Sequence, residues 1–144
     1  MNIYLLDVNV LIALIDPAHV HHDIAHTWFK KRGERAWASC PLTQNGVIRI
    51  VSNPKYPNCV GSPGAAADVM GRLCKLPGHV FWADDISLMD SKLIDAARLL
   101  SSAQITDSYL LALAHSHKGH LATFYSRLVT DAVRNGRAAL HLIA

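Results

Sequence analysis

An α/β fold with a five-stranded, mainly parallel sheet is predicted by three observations. Short apolar runs alternate with helix-length segments along the whole chain. No two of these runs are joined by a two-residue hairpin turn, so the connections read as helical crossovers, which make neighbouring strands parallel. The runs are apolar throughout rather than alternating, as in strands covered on both faces. Together these give a three-layer α/β/α sandwich. A length of 144 residues is that of one ordinary domain, so residues 1–144 are expected to form a single one.

The elements follow in order. Residues 2–6 read as a buried strand ending at Asp7, and Val8 to Ile15 as a helix stopped by Asp16-Pro17. An amphipathic helix is expected over residues 20–31, with Ile24, Ala25 and Trp28 turned inward. Trp28 and Phe29 point in adjacent directions, so one of them is expected at an interface. Residues 35–39 form the second strand. Thr43 is the expected cap of a helix running to Ser52, before Asn53-Pro54 and a Pro/Gly/Asn-rich loop to Gly64. Residues 65–76 read as a helix closed by Pro77-Gly78, and residues 79–82 as the third strand. Helices are expected over residues 91–100 and over 107–117, the latter capped by Thr106 and ended by Gly119. Residues 120–124 form the fourth strand, 126–134 a helix and 138–143 the fifth strand.

Composition narrows the function classes. With 51% hydrophobic and 17% charged residues the chain buries a real core, which excludes disorder. Its apolar runs fall short of the roughly 18–20 residues of a membrane span. The opening residues carry no basic stretch of the kind that starts a secretory signal. Three cysteines without a C-x-x-C pair indicate neither a disulfide framework nor a cysteine zinc site, so a reducing cytoplasm is expected. The net charge of +3 is only mildly basic. The acids are more telling: ten Asp and one Glu, so any acidic site must be built almost wholly from Asp.

In such sheets ligands bind beyond the carboxyl ends of the strands. Asp7 lies there, between hydrophobic neighbours, where a lone carboxylate is costly unless it caps a helix or meets a cation. Asp107 has the same two readings beside Thr106. Two Asp at converging edges, with Asn9 alongside the first, point to a divalent-cation site, and their hard oxygens suit Mg²⁺ or Mn²⁺.

Several segments resemble the PIN-domain ribonucleases, specifically the VapC-type toxins of bacterial toxin–antitoxin modules. They are Leu5-Leu6-Asp7-Val8-Asn9-Val10-Leu11, Cys40-Pro41-Leu42-Thr43-Gln44-Asn45-Gly46 with Arg49 and Ser52-Asn53-Pro54, Phe81-Trp82-Ala83-Asp84-Asp85, Ile105-Thr106-Asp107-Ser108-Tyr109 and Leu121-Ala122-Thr123-Phe124. Their order and spacing span almost the whole chain. The resemblance implies a metal-dependent RNA-cleaving site of four acids, a cognate antitoxin that wraps the toxin and reaches its groove, and a homodimer. The family pattern places acids at positions 7, 44, 107 and 125. This chain keeps Asp7 and Asp107 but has Gln44 and Tyr125 at the others.

The departures have physical consequences. Four carboxylates bring a site charge near −4 and two only near −2, which suits one cation better than a two-metal pair. Gln44 offers a carbonyl oxygen or holds a water but cannot act as a base. Tyr125 can donate a hydrogen bond to a phosphate. The expected site is therefore Asp7 and Asp107 as metal ligands and catalytic acids, with Gln44 and Tyr125 in the remaining catalytic positions. Asn9, Thr43, Thr106, Thr123 and Arg49 are expected to support it or face the substrate. Weakened hydrolysis follows, and the alternative is a protein that binds antitoxin or RNA without cutting. Glu34, within Lys30-Lys31-Arg32-Gly33-Glu34-Arg35, reads as solvated rather than as a replacement acid. Asp131 reads as an exposed helical residue.

Other features have plainer readings. His22 and His26 have the i, i+4 spacing of a zinc pair but lack a third ligand at diagnostic spacing, so a half-buried histidine face is expected for them and for His19 and His21. His115, His117 and His120 read likewise. Asp84-Asp85 reads as a turn or helix start. Asp7-Val8-Asn9-Val10 approaches the D-x-D-x-[TV] of aspartyl-phosphate phosphatases, but Asn9 replaces the second acid and no suitably placed lysine follows.

Overall fold

The computed structural model describes residues 2–144. Five strands form one sheet: β1 (Tyr4–Leu6), β2 (Trp37–Ser39), β3 (His79–Phe81), β4 (His120–Thr123) and β5 (Leu140–Leu142). Their order is β3-β2-β1-β4-β5, and every pairing is parallel. The carboxyl ends of all five therefore share one edge. Leu5 and Leu6 of the central strand are fully buried, one toward each face. That explains the unbroken apolar run.

One face carries α1 (Val8–Ile15), α2 (His22–Trp28), α3 (Pro41–Val51) and α4 (Pro63–Cys74). The predicted span of α1 is met. It begins at Asp7, whose carboxylate accepts the Val8 N–H at 2.8 Å. It ends at Asp16, where His22 and His26 take up two of its last carbonyls, Ala13 O at 2.7 Å and Leu14 O at 2.8 Å. These two histidines thus close a helix end, satisfying groups that every helix terminus leaves open. Helix α3 lies tightly against α1: a Cβ on Gly46 would come within 2.9 Å of Val8 Cγ2. Thr43 is not its cap. Cys40 is, and Thr43 in the first turn accepts the Cys40 N–H at 3.0 Å.

The expected helix over residues 20–31 is shorter and ends differently. After α2 the chain widens into one π-helical turn, Phe29–Gly33. Trp28 and Phe29 are both buried, which overturns the expected interface role. Trp28 packs edge-on against Tyr4 and Phe29 against Trp37. Both keep ordinary helical dihedrals, so their rings diverge onto the neighbouring strands β1 and β2, and Gly33 leaves the room, since a Cβ there would lie 2.5 Å from the Trp28 ring. Ile24, expected inward with Ala25 and Trp28, is 42% exposed.

The other face carries one long helix, α5 (Ile105–Ser116). Thr106 does not cap it. A 3₁₀ turn at Ser102–Gln104 leads in, with Gln104 Oε1 accepting the Ser101 N–H at 2.9 Å. The helices expected over residues 91–100 and 126–134 are absent. Those segments are mostly irregular and bind each other instead. Ile94 and Val133 form an antiparallel bridge, flanked by Asp95 N to Ala132 O at 2.8 Å and Arg134 N to Leu93 O at 2.9 Å. Their apolar residues Ile94, Leu128 and Val133 still reach the core, so burial is kept while the local backbone changes. Asp131 is exposed, as expected, but lies outside any helix.

Candidate functional site

The carboxyl edge of the sheet gathers the first two predicted acids. Asp7 ends β1 and is only 9% exposed. One oxygen accepts the Val8 N–H. The other accepts the hydroxyl of Thr123, the last residue of β4, at 2.8 Å. Burial raises the pKa of Asp7 above the ordinary carboxylate value, and the two hydrogen bonds offset that only in part. Asp107 lies in the first turn of α5 and is half-buried. Its pKa is raised too, first by burial and then by the negative charge of Asp7. Asp107 thus lies near enough to feel the charge of Asp7, and each acid is dearer to ionise than an ordinary Asp.

That arrangement fits a divalent cation. Placed between the acids, it would relieve both the mutual repulsion and the burial penalty. Among the described residues no group of three or more His, Cys, Asp or Glu converges as a metal cage. The pair suits one cation completed by water or phosphate, not two.

Gln44 bonds to neither acid. Its amide donates to Ser39 Oγ at 2.9 Å, and Ser39 Oγ lies 2.7 Å from His79 Nε2. Ser39 is fully buried at the end of β2, and His79 packs on Trp37. This polar cluster was not visible in the spacing of the sequence, because its members come from three elements. Tyr125 is 51% exposed, with its backbone N–H bound to Thr123 Oγ1 at 3.1 Å. Its side chain lines a groove with Asn9, His19 and His21 rather than bonding to either acid.

The remaining residues divide clearly. Thr123 touches Asp7, and Asn9 is exposed beside it. Thr43 is buried at the start of α3, while Thr106 and Arg49 are exposed and make no side-chain hydrogen bond among the described residues. Asp84 is a strut: it accepts the Leu42 N–H at 3.1 Å and the Tyr109 hydroxyl at 2.9 Å, tying α3 to α5. Asp85 pairs with His117, whose ring stacks on Trp82. Glu34 is exposed before β2, at the opposite edge of the sheet.

A parallel sheet with two acids at its carboxyl edge defines an α/β protein with an acidic site at its strand ends. No family model matches the chain. It is 47% identical over 129 residues, 90% of each chain, to Ribonuclease VapC44 of Mycobacterium tuberculosis. It is 39% identical to Ribonuclease VapC39 of the same organism over 89% of this chain and 92% of that one, and 37% identical to Ribonuclease VapC38 over 96% of each. The solved structure of VapBC2 from Rickettsia felis, bound to a DNA fragment from their promoter, superposes with a TM-score of 0.57. It covers 87% of this chain and 89% of that one at 12% identity, a likeness of fold. The chain belongs to the VapC family of toxin–antitoxin ribonucleases.

Proposed function

We propose that this chain hydrolyses RNA phosphodiester bonds at the edge formed by Asp7 and Asp107, with Mg²⁺ or Mn²⁺ held between them. The observation that carries this reading is the pair itself: two acids whose pKa values are both raised, one partly by the charge of the other. When bound, the cation supplies charge neutralisation at the scissile phosphate and activation of water for attack. Thr123 fixes the orientation of Asp7 through its hydroxyl. Val8 N–H holds the second Asp7 oxygen at the mouth of α1. Asp107 brings the second charge from the start of α5, and Asn9 offers a neutral amide to the substrate beside Asp7.

One specific observation favours a second reading, a protein that binds RNA or antitoxin without cutting. Gln44 is engaged by Ser39 and adds no charge to the pair. Cleavage of a structured RNA in Mn²⁺, compared with Asp7→Ala, separates the two. Cutting that is abolished by the substitution supports the nuclease. Metal binding without cutting supports the binder.

The partners and place in the cell follow from family membership as part of the same proposal: a cognate antitoxin, a homodimer, one domain over residues 1–144 and a cytoplasmic location. No helix among the described residues is long and apolar enough to cross a membrane. Antitoxin binding is expected to slow amide exchange in α3 and at the exposed face of α2. Unchanged exchange in both would refute that placement.

A further inference from the structure

The groove beside the acid pair is built largely of rings. Its volume is about 380 Å³, and Asn9, His19, His21, Thr123, Phe124 and Tyr125 are among its lining residues. Thr123 is the residue that holds Asp7, so groove and acid pair share a wall. The His21 ring lies 4.7 Å from that of Phe124 with their planes 33° apart, and His19 stands 5.8 Å from His21. Phe124 packs against the core, which makes it a fixed surface. Tyr125 follows it, half exposed, with its backbone tied to Thr123. No lining residue is acidic.

Flat rings beside a phosphate-cleaving edge match the chemistry of an unpaired nucleobase, which every strand offers whatever its sequence. We propose that His21, Phe124 and Tyr125 form a base-stacking subsite for one unpaired nucleotide flanking the scissile phosphate. This rests on the RNA-cleaving reading and deepens it. It also gives Tyr125 a role of its own at the position where the resemblance expects an acid: the chain gives up a carboxylate and gains a stacking surface.

The test is binding, separate from cleavage. The probe is a fluorescein-labelled, single-stranded RNA dodecamer of mixed sequence, followed by anisotropy in EDTA so that no divalent cation is present. Tyr125→Ala should raise Kd about 5- to 150-fold, the range of one lost base stack, whereas Tyr125→Phe stays within about twofold. His21→Ala should fall between them. The same RNA annealed to its complement should bind Tyr125→Ala and the parent alike, because its bases are already stacked. Equal affinity of parent, Tyr125→Ala and Tyr125→Phe for the single strand, with unchanged thermal midpoints, would overturn the subsite, as would a parent that binds no RNA. So would intact RNA affinity in Tyr125→Ala combined with loosened binding of a coexpressed antitoxin, which would give the groove to a protein segment. Loss of cleavage in Asp7→Asn alongside any of these results leaves the ribonuclease reading standing, so the two failures are distinguishable.

Discussion

Helix α1 is bounded by two buried aspartates with opposite electrostatics. Asp7 at its start is 9% exposed and Asp16 at its end 7%. Burial penalises both. At Asp16 the penalty is outweighed: the Tyr56 hydroxyl, Asn58 Nδ2 at 2.7 Å and the Ala18 N–H at 2.9 Å all donate to it, and its pKa is lowered. Asp16 in turn pushes the Tyr56 phenol, already raised by burial, up to about 12. At Asp7 two donors are too few to offset burial, and its charge in turn raises the pKa of Asp107. Their donors thus separate a carboxylate satisfied by the fold from one whose burial is only partly offset. A fold holds such a group at a cost in stability, which fits a functional site.

The two ends of α1 should differ most in activity. Asp7→Asn or Asp107→Asn should lower RNA cleavage in Mn²⁺ by about 10²- to 10³-fold, as expected when charge stabilisation at a reacting phosphate is lost. Asp16→Asn should leave the rate of the folded protein near the parent's. A similar loss from all three would erase the distinction.

Stability should rank the two ends the other way. Asp16→Ala strands the Tyr56 hydroxyl and the Asn58 amide, and should cost about 2 kcal/mol in urea unfolding. Asp7→Asn removes a penalised charge, and should unfold at the same or higher urea concentration than the parent.

A smaller effect sits at Thr123. Thr123→Val keeps the shape but removes the donor to Asp7, and should weaken Mn²⁺ binding by about tenfold, the usual scale for a group that orients a ligand. Unchanged affinity would mean that Asp7 needs no orienting partner.

Acid titration should show the sign difference directly. Asp7 has a folded pKa above its ordinary value, so its charge lowers stability at higher pH, and the loss is relieved as pH falls through that folded pKa. Asp16 has a folded pKa below its ordinary value. Its contribution is complete above the ordinary value of 3.8 and is lost as pH falls through the lower folded one. The stability difference between Asp7→Asn and the parent, measured by urea unfolding at stepped pH, should therefore shrink on acidification. The difference between the parent and Asp16→Asn should persist until the pH falls below about 4. The smallest change is expected from Gln44→Glu alone. Ser39 already bonds to this side chain, so cleavage should move little.

How much of this the sequence disclosed depended on how local each cause was. The strand ending in Asp7 and the helix after it were legible because apolar runs and a capping acid are neighbours in the chain. The Asp7–Asp107 pairing was legible through strand order and the edge rule, and the family resemblance strengthened it. The segments over residues 91–100 and 126–134 were misread as helices, because what decides them is their mutual bridge at Ile94 and Val133. Trp28 and Phe29 were misread because periodicity allows a helix one narrow buried stripe, whereas here two neighbouring strands offer Tyr4 to one ring and Trp37 to the other. His19 and His21 were noticed as part of a cluster. Only the fold places them against Phe124 and Tyr125, a hundred residues away in the chain.

The proposed function requires one divalent cation bound jointly by Asp7 and Asp107. Calorimetric titration of the protein with Mn²⁺ tests it most directly, with Asp7→Asn, Asp107→Asn and Asp16→Asn beside the parent. The parent and Asp16→Asn should each bind one ion per chain, and neither substitution in the pair should bind any. Parent-like Mn²⁺ binding by Asp7→Asn or Asp107→Asn would contradict it.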